Sequence, residues 1–256
     1  MRWTVVPDYE SLSSLAAARL LDALSESPDI VLGLPTGSTP IGMYRRVVER
    51  CGRESHAFER ASTFNLDEYV GIPPSHPGSY CTYMKEHLFD HVDLTPSKIH
   101  IPDGTGSRIL RMQPELTMEQ VLEIECHRYE RAIADAGALW LTFLGLGRNG
   151  HIGFNEPGAS HHSRTRVVTL TDSTRAANAP FFGSPEEVPS RAITMGIGTI
   201  LESRRIVLLA SGEGKAPAVA RLASGEITSD FPGSALQRHD DVEVIVDRTA
   251  ATLLDR

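Results

Sequence analysis

Nowhere does an apolar run approach the roughly 20 residues that a membrane-spanning helix needs, so no membrane span is expected. Long Pro/Gly/Ser tracts, blocks of like charge, low-complexity stretches and internal repeats are also missing, which removes flexible linkers, interaction tails and solenoid folds from consideration. Cysteine is scarce. Cys51, Cys81 and Cys126 are odd in number and far apart, which suggests neither a disulfide framework nor a CxxC metal site and points to reduced thiols in the cytoplasm. Positive charge is in deficit as well. A formal net charge of -8 argues against a general nucleic-acid or acidic-membrane surface, so any anionic ligand has to be held by a local site. The opening residues, Met1-Arg2-Trp3-Thr4-Val5-Val6-Pro7-Asp8, lack the basic-then-apolar order of a secretory leader.

What is present suffices for one large core. With 256 residues, 41% hydrophobic and 23% charged, the chain reads as a single α/β domain over 1–256 rather than as two. Leu12, Leu15, Leu20, Leu21 and Leu24 recur near helical spacing, and residues 30–34 form the short apolar run of a buried strand. After a turn at 35–40, Met43, Tyr44 and Val47 predict a second helix, and 61–66 a second strand with Asp67 just past its end. Helical patterns follow at 79–89 and through Leu122, Cys126, Tyr129 and Ile133, before a strand at 139–146. Later strands are expected at 166–170, 205–210 and 242–246, with a helix over 214–223, while the Pro-rich stretch 71–77 reads as a rigid surface loop. Apolar strands alternating with helices predict a mostly parallel sheet flanked by helices on both faces, doubly wound and Rossmann-like.

Residues 145–157, Gly-Leu-Gly-Arg-Asn-Gly-His-Ile-Gly-Phe-Asn-Glu-Pro, are the most informative stretch. His151 and Glu156 lie five apart on a glycine-rich loop, and an imidazole can move a proton near neutrality while a carboxylate orients it. Such a pair in isolation is as often a turn cap beside a solvated acid. Its place after an apolar strand, where open α/β sheets bind ligands, favours catalysis. Residues 32–40, Leu-Gly-Leu-Pro-Thr-Gly-Ser-Thr-Pro, leave a strand and enter a helix. Backbone N–H groups and hydroxyls across Thr36, Gly37, Ser38 and Thr39 suit a phosphate monoester, although the segment is neither a Walker loop nor a GxGxxG turn and a plain N-capped turn would look similar. Asp67 and Glu68 place adjacent carboxylates after a strand, one suited to act as a base and the other to serve structure, unless the Asp only caps a turn. Lys215, near a helix start, is placed to reach a phosphate as a point charge, against the commoner fate of a solvated lysine. His76, His87, His91, His161, His162 and His239 have no metal-ligand spacing and read as surface or packing residues, so no metal site is expected.

Taken together, PTGSTP, FNLDEYVG followed by HPGSY, GLGRNGHIGFNEP, TLTDSTRAANAPFF and GEGKA resemble the glucosamine-6-phosphate deaminase (isomerizing) family, collinearly over about 30–246. The related 6-phosphogluconolactonases share its fold and a similar phosphate loop but look less like this chain around NGHIGFNEP. The resemblance implies a cofactor-free aldose–ketose isomerization with loss of ammonia, acting on a small amino-sugar phosphate and yielding fructose 6-phosphate; it leaves a homo-oligomer open. It implies that Asp67 is the base carrying the proton from C2 towards C1, that His151 opens the pyranose ring, and that Glu156 is its carboxylate partner. Asn149 stands where some members carry an Asp in the same relay, and an amide orients His151 without sharing its charge.

Two departures from the family stand out. Pro180 occupies the place of an Arg that in many members helps bind the phosphate, which leaves Lys215 as the main cation and Arg175 as the alternative. Ala159 and Val168 stand where a Ser and a Lys of an effector site are expected, although Arg166 is present, so activation by N-acetylglucosamine 6-phosphate is not expected. Galactosamine 6-phosphate as substrate, a lactonase, and a non-catalytic sugar-phosphate sensor are the other readings. A sensor needs neither Asp67 nor His151.

Overall fold

The computed structural model describes residues 1–51 and 57–254. In chain order its strands and helices are β1 (Arg2–Val6), α1 (Tyr9–Glu26), β2 (Val31–Leu34), α2 (Ile41–Cys51), β3 (Ser62–Asn65), β4 (Asp67–Tyr69), α3 (Tyr80–His87), β5 (Ile99–His100), α4 (Ser107–Met112) and α5 (Met118–Asp135). They continue as β6 (Leu141–Gly145), β7 (Arg166–Thr169), α6 (Asp172–Asn178), β8 (Arg191–Thr194), α7 (Ile197–Leu201), β9 (Arg205–Ala210), α8 (Ala216–Ala223) and β10 (Val242–Asp247). Local chemistry sets the helix starts. Asp8 accepts from the Ser11 N–H at 2.8 Å at the head of α1, and Thr117 with Gln120 closes a reciprocal capping box on α5.

Seven strands form one sheet in the order β1-β10-β9-β6-β2-β3-β5, with every neighbouring pair parallel. Parallel strands need cover on both faces, and β2, β9 and β10 are buried along nearly their whole length. One face packs on α1, α2 and α3 through Leu12, Leu20, Met43, Tyr44 and Met84. The opposite face packs on α5, α7 and α8 through Tyr129, Ile133, Ile200, Val219 and Leu222. Among the described residues no helix is long and apolar enough to cross a membrane.

A second, antiparallel sheet of order β4-β8-β7 lies beside the first. This corrects one expectation. The strand at 166–170 belongs not to the parallel sheet but to this small one as β7, and its half-buried, partly exposed residues would not fill a position covered on both faces. Asp67 lies just past the end of β3, as expected, and there it opens β4. The single residue Leu66 joins the sheets, its N–H reaching Leu34 O at 3.2 Å while its carbonyl accepts from Met195 N at 2.7 Å. The edge strand β1 escapes a pattern search because its residues are only half-buried or exposed.

Candidate active site

Connections run from β2 outward to β3 and β5 on one side, and from β6 outward to β9 and β10 on the other. The carboxyl ends of β2 and β6 therefore flank the point where strand order reverses, which is where open α/β sheets hold ligands. A cleft of about 210 Å³ opens there, lined by residues 35–40, Asp67, Tyr80, the 145–147 turn, His151 and Lys215. The loop after β2 has its carbonyls engaged from behind. The Tyr44 hydroxyl donates to Pro35 O at 2.6 Å, the Tyr83 hydroxyl to Gly37 O at 2.6 Å, and the Tyr9 hydroxyl to Thr39 O at 3.0 Å. Among the described residues nothing accepts from the N–H groups of Thr36, Gly37, Ser38 or Thr39. Donors left open at the N-terminus of α2 form a cradle for an anion.

Asp67 and Glu68 divide their roles by position. Glu68 accepts from Tyr69 N at 2.8 Å, Tyr80 N at 3.1 Å and Cys81 N at 3.0 Å, so it caps the first turn of α3. Asp67 lines the cleft instead, almost fully buried. Burial, with the Glu68 carboxylate next to it, pushes the Asp67 carboxyl up to about 8. Glu68 is pushed up by burial to about 7, against the pull of its three N–H donors. A carboxyl so poorly solvated binds a proton avidly, which suits a carbon-proton base.

The loop after β6 carries a chain of three side chains. Asn149 Nδ2 donates to Glu156 Oε2 at 2.8 Å, and Asn149 Oδ1 lies 2.7 Å from His151 Nδ1. Glu156 as the direct partner of His151 is thereby corrected: the amide stands between them. A carboxylate only accepts, so the amide must turn its NH2 to Glu156 and its oxygen to the ring, and His151 must carry its proton on Nδ1. Nε2 is left as the basic nitrogen. Burial lowers the His151 pKa; Glu156 opposes that shift and Lys215 adds to it. Gly147 is a spatial requirement, since a Cβ there would fall 2.3 Å from the imidazole.

Lys215 is held in the cleft by donating to Leu146 O at 2.6 Å, and burial, with Arg148 nearby, lowers its pKa. Arg175 is not a cleft cation. Its guanidinium donates to Val188 O and Glu186 O, each at 3.2 Å. Pro180 lies exposed in the turn that follows α6, next to the cleft residue Phe181. Arg166 donates to Asn155 Oδ1 at 2.9 Å and is thereby tied to the framework of the 145–157 loop. The structure thus gathers Thr36, Gly37, Ser38, Thr39, Asp67, His151 and Lys215 around one cleft, with Asn149 and Glu156 behind the histidine. Sequence reasoning missed Tyr80, Thr174, Asn178 and Phe181 as lining residues. For Thr174 the signal was the hydroxyl-rich start of α6: Thr171 donates to Glu156 Oε1 at 3.1 Å and Thr174 makes a shorter bond to the same oxygen.

A doubly wound parallel sheet carrying an anion cradle, a buried carboxyl and an oriented histidine defines an acid–base site for a phosphorylated small molecule. The model of the glucosamine-6-phosphate isomerases/6-phosphogluconolactonase family matches residues 9–246, and the chain belongs to that family. It is 49% identical over 245 residues to glucosamine-6-phosphate deaminase 1 of Bacillus subtilis (strain 168), covering 96% of each chain. To the glucosamine-6-phosphate deaminase of Rhodopirellula baltica it is 48% identical over 252 residues, covering 98% of this chain and 95% of that one. A solved structure described as a monomeric glucosamine-6-phosphate deaminase superposes with a TM-score of 0.90 at 47% identity, over 99% of this chain and 100% of the other. A 6-phosphogluconolactonase from Trypanosoma cruzi gives a TM-score of 0.73 at 20% identity, covering 100% of this chain and 97% of that one, which shows a shared fold.

Proposed function

We propose that this chain converts glucosamine 6-phosphate and water to fructose 6-phosphate and ammonia. The observation that carries the reading is the meeting, in one cleft, of the 36–39 cradle with Lys215, the buried Asp67 and a His151 whose Nε2 is free to accept a proton. The phosphate anchors the substrate at the cradle. His151 Nε2 takes the anomeric hydroxyl proton and returns a proton to the ring oxygen, opening the pyranose to the aldehyde. Asp67 removes the C2 proton as the C1 oxygen takes one up, giving an enolamine, and then returns its proton to C1 as the nitrogen releases one, so the 2-amino aldehyde becomes a ketimine with a C1 hydroxyl. Water then adds to C2 and ammonia leaves. C1 is reduced and C2 oxidised within the same molecule, so there is no net redox change and no electron carrier is needed. The relatives bearing the deaminase name support this choice of substrate over a lactone. A sugar-phosphate substrate and the free thiols of Cys81 and Cys126 support a cytoplasmic setting.

The test is ammonia and fructose 6-phosphate release from glucosamine 6-phosphate, run beside galactosamine 6-phosphate and 6-phosphogluconolactone. Ammonia from the first at a kcat/KM well above the second supports the reading. Ammonia from neither amino sugar, with lactone hydrolysed, would replace it with the lactonase.

A further inference from the structure

We infer that Arg148 is a substrate-binding residue of this site, a second cation that takes the phosphate together with Lys215 and the 36–39 cradle. The inference rests on the reading of the substrate as a phosphorylated sugar. Arg148 directly follows Gly147, a lining residue of the cleft, and its guanidinium lies over Gly214, the residue before Lys215. A Cβ at Gly214 would stand 3.2 Å from one terminal nitrogen of Arg148 and 3.4 Å from its Nε, so this glycine leaves room for the guanidinium to lie against the backbone. The turns after β6 and β9 thus bring two cations to the same rim of the cleft.

What marks this pair is that two cations stand close together at a cleft with no carboxylate among the described residues to neutralise either. Several arginines elsewhere are tied to carboxylates: Arg19 to Glu243 at 2.8 Å, Arg45 to Glu10 at 2.7 Å, Arg128 to Glu125 at 2.6 Å and Arg164 to Glu130 at 2.7 Å. Among the described residues neither Arg148 nor Lys215 has an ion-pair partner. Two uncompensated like charges held together in a protein of net charge -8 repel, and a dianion placed between them relieves that repulsion. Lys215 alone offers one charge, with its ammonium already donating to Leu146 O. A phosphate dianion needs a second, and the fork of a guanidinium fits two of its oxygens. Arg175, the other basic residue of the neighbourhood, is turned to the carbonyls of Val188 and Glu186.

The test compares Arg148→Gln and Arg148→Lys with the parent chain, reading KM and kcat for glucosamine 6-phosphate and the competitive inhibition constant of inorganic phosphate. Arg148→Gln is expected to raise both KM and the phosphate inhibition constant roughly tenfold, with kcat falling far less, and Arg148→Lys to recover part of the loss. Because Arg148 is exposed, the penalty shrinks as salt is raised. Unchanged KM and unchanged inhibition by phosphate would overturn the inference. So would a higher KM with no change in phosphate inhibition, since Arg148 would then act on another part of the sugar. If the parent chain releases no ammonia from glucosamine 6-phosphate, the substrate reading fails separately. Calorimetric binding of inorganic phosphate to the parent and to Arg148→Gln then still decides the role of Arg148.

Discussion

Among single side chains, hydrogen bonds already made decide what each group is free to do. Glu68 has both oxygens committed to backbone N–H groups, whereas Asp67 makes no comparable bond among the described residues and faces the cleft. Asp67→Asn is therefore expected to lower ammonia release by roughly 10²–10⁴-fold while inhibition by inorganic phosphate stays near that of the parent, because the amide keeps the shape and loses the base. Near-normal turnover would remove Asp67 from the mechanism. His151→Gln separates the two proton transfers. Turnover of the closed-ring sugar should fall much further than turnover of an open-chain substrate analogue, and equal losses would show that His151 does not act in ring opening. Residue types marked Asp67, His151, Lys215 and the 36–39 turn as candidates, each beside a plain structural alternative, and the family resemblance joined them into one site. What sequence did not show was the order of the relay. That Asn149 stands between His151 and Glu156 depends on how a loop of glycines curls, with Gly147 N accepted by His151 O at 2.9 Å, and no spacing rule encodes it.

Between elements, Glu156 does more than support a histidine. Its other oxygen accepts from Thr171 and Thr174, the N-cap and third residue of α6, whose C-terminal part and following turn supply Ala177, Asn178 and Phe181 to the cleft wall. The relay and this wall therefore share one carboxylate. Thr171→Ala removes a cap and a bond to Glu156 together, with an expected cost of about 1 kcal/mol in stability. Its KM should rise more than its kcat falls, which steady-state kinetics and thermal melts on the same sample would show. Melting unchanged together with KM unchanged would mean that α6 is positioned by its packing alone. Elements of this kind were poorly legible. The strands β2, β6, β9 and β10 announced themselves because a position covered on both faces demands an unbroken apolar run. Short strands such as β4 and β8, and the half-exposed β1 and β7, obtain their place from a partner strand far away in sequence, and a local pattern carries no record of that partner.

For the whole molecule, the seam between the two sheets is where function and stability oppose each other. Asp67 and Glu68 are buried there, and their carboxyls titrate at about 8 and about 7 in the folded chain, against about 3.9 and 4.3 when unfolded. Between those limits the folded state holds protons that the unfolded state has released. Their contribution is therefore fully present below about pH 4 and is lost as pH rises through about 7 to 8. Acids held by cations or hydroxyls pull the other way at low pH. Glu243 is held below its ordinary range by Arg19, and Glu130 by the hydroxyls of Thr165 and Thr199 despite its burial, and both lose their contribution on acidification. Asp67→Asn cancels one of the two penalties at the seam without disturbing the acid side. Its melting temperature should stay close to that of the parent at about pH 4, rise above it progressively up to about pH 8, and keep a constant margin beyond. Melting curves that run parallel across that range would show that Asp67 titrates normally in the folded chain, and the raised affinity for a proton that makes it a suitable carbon base would be lost with it.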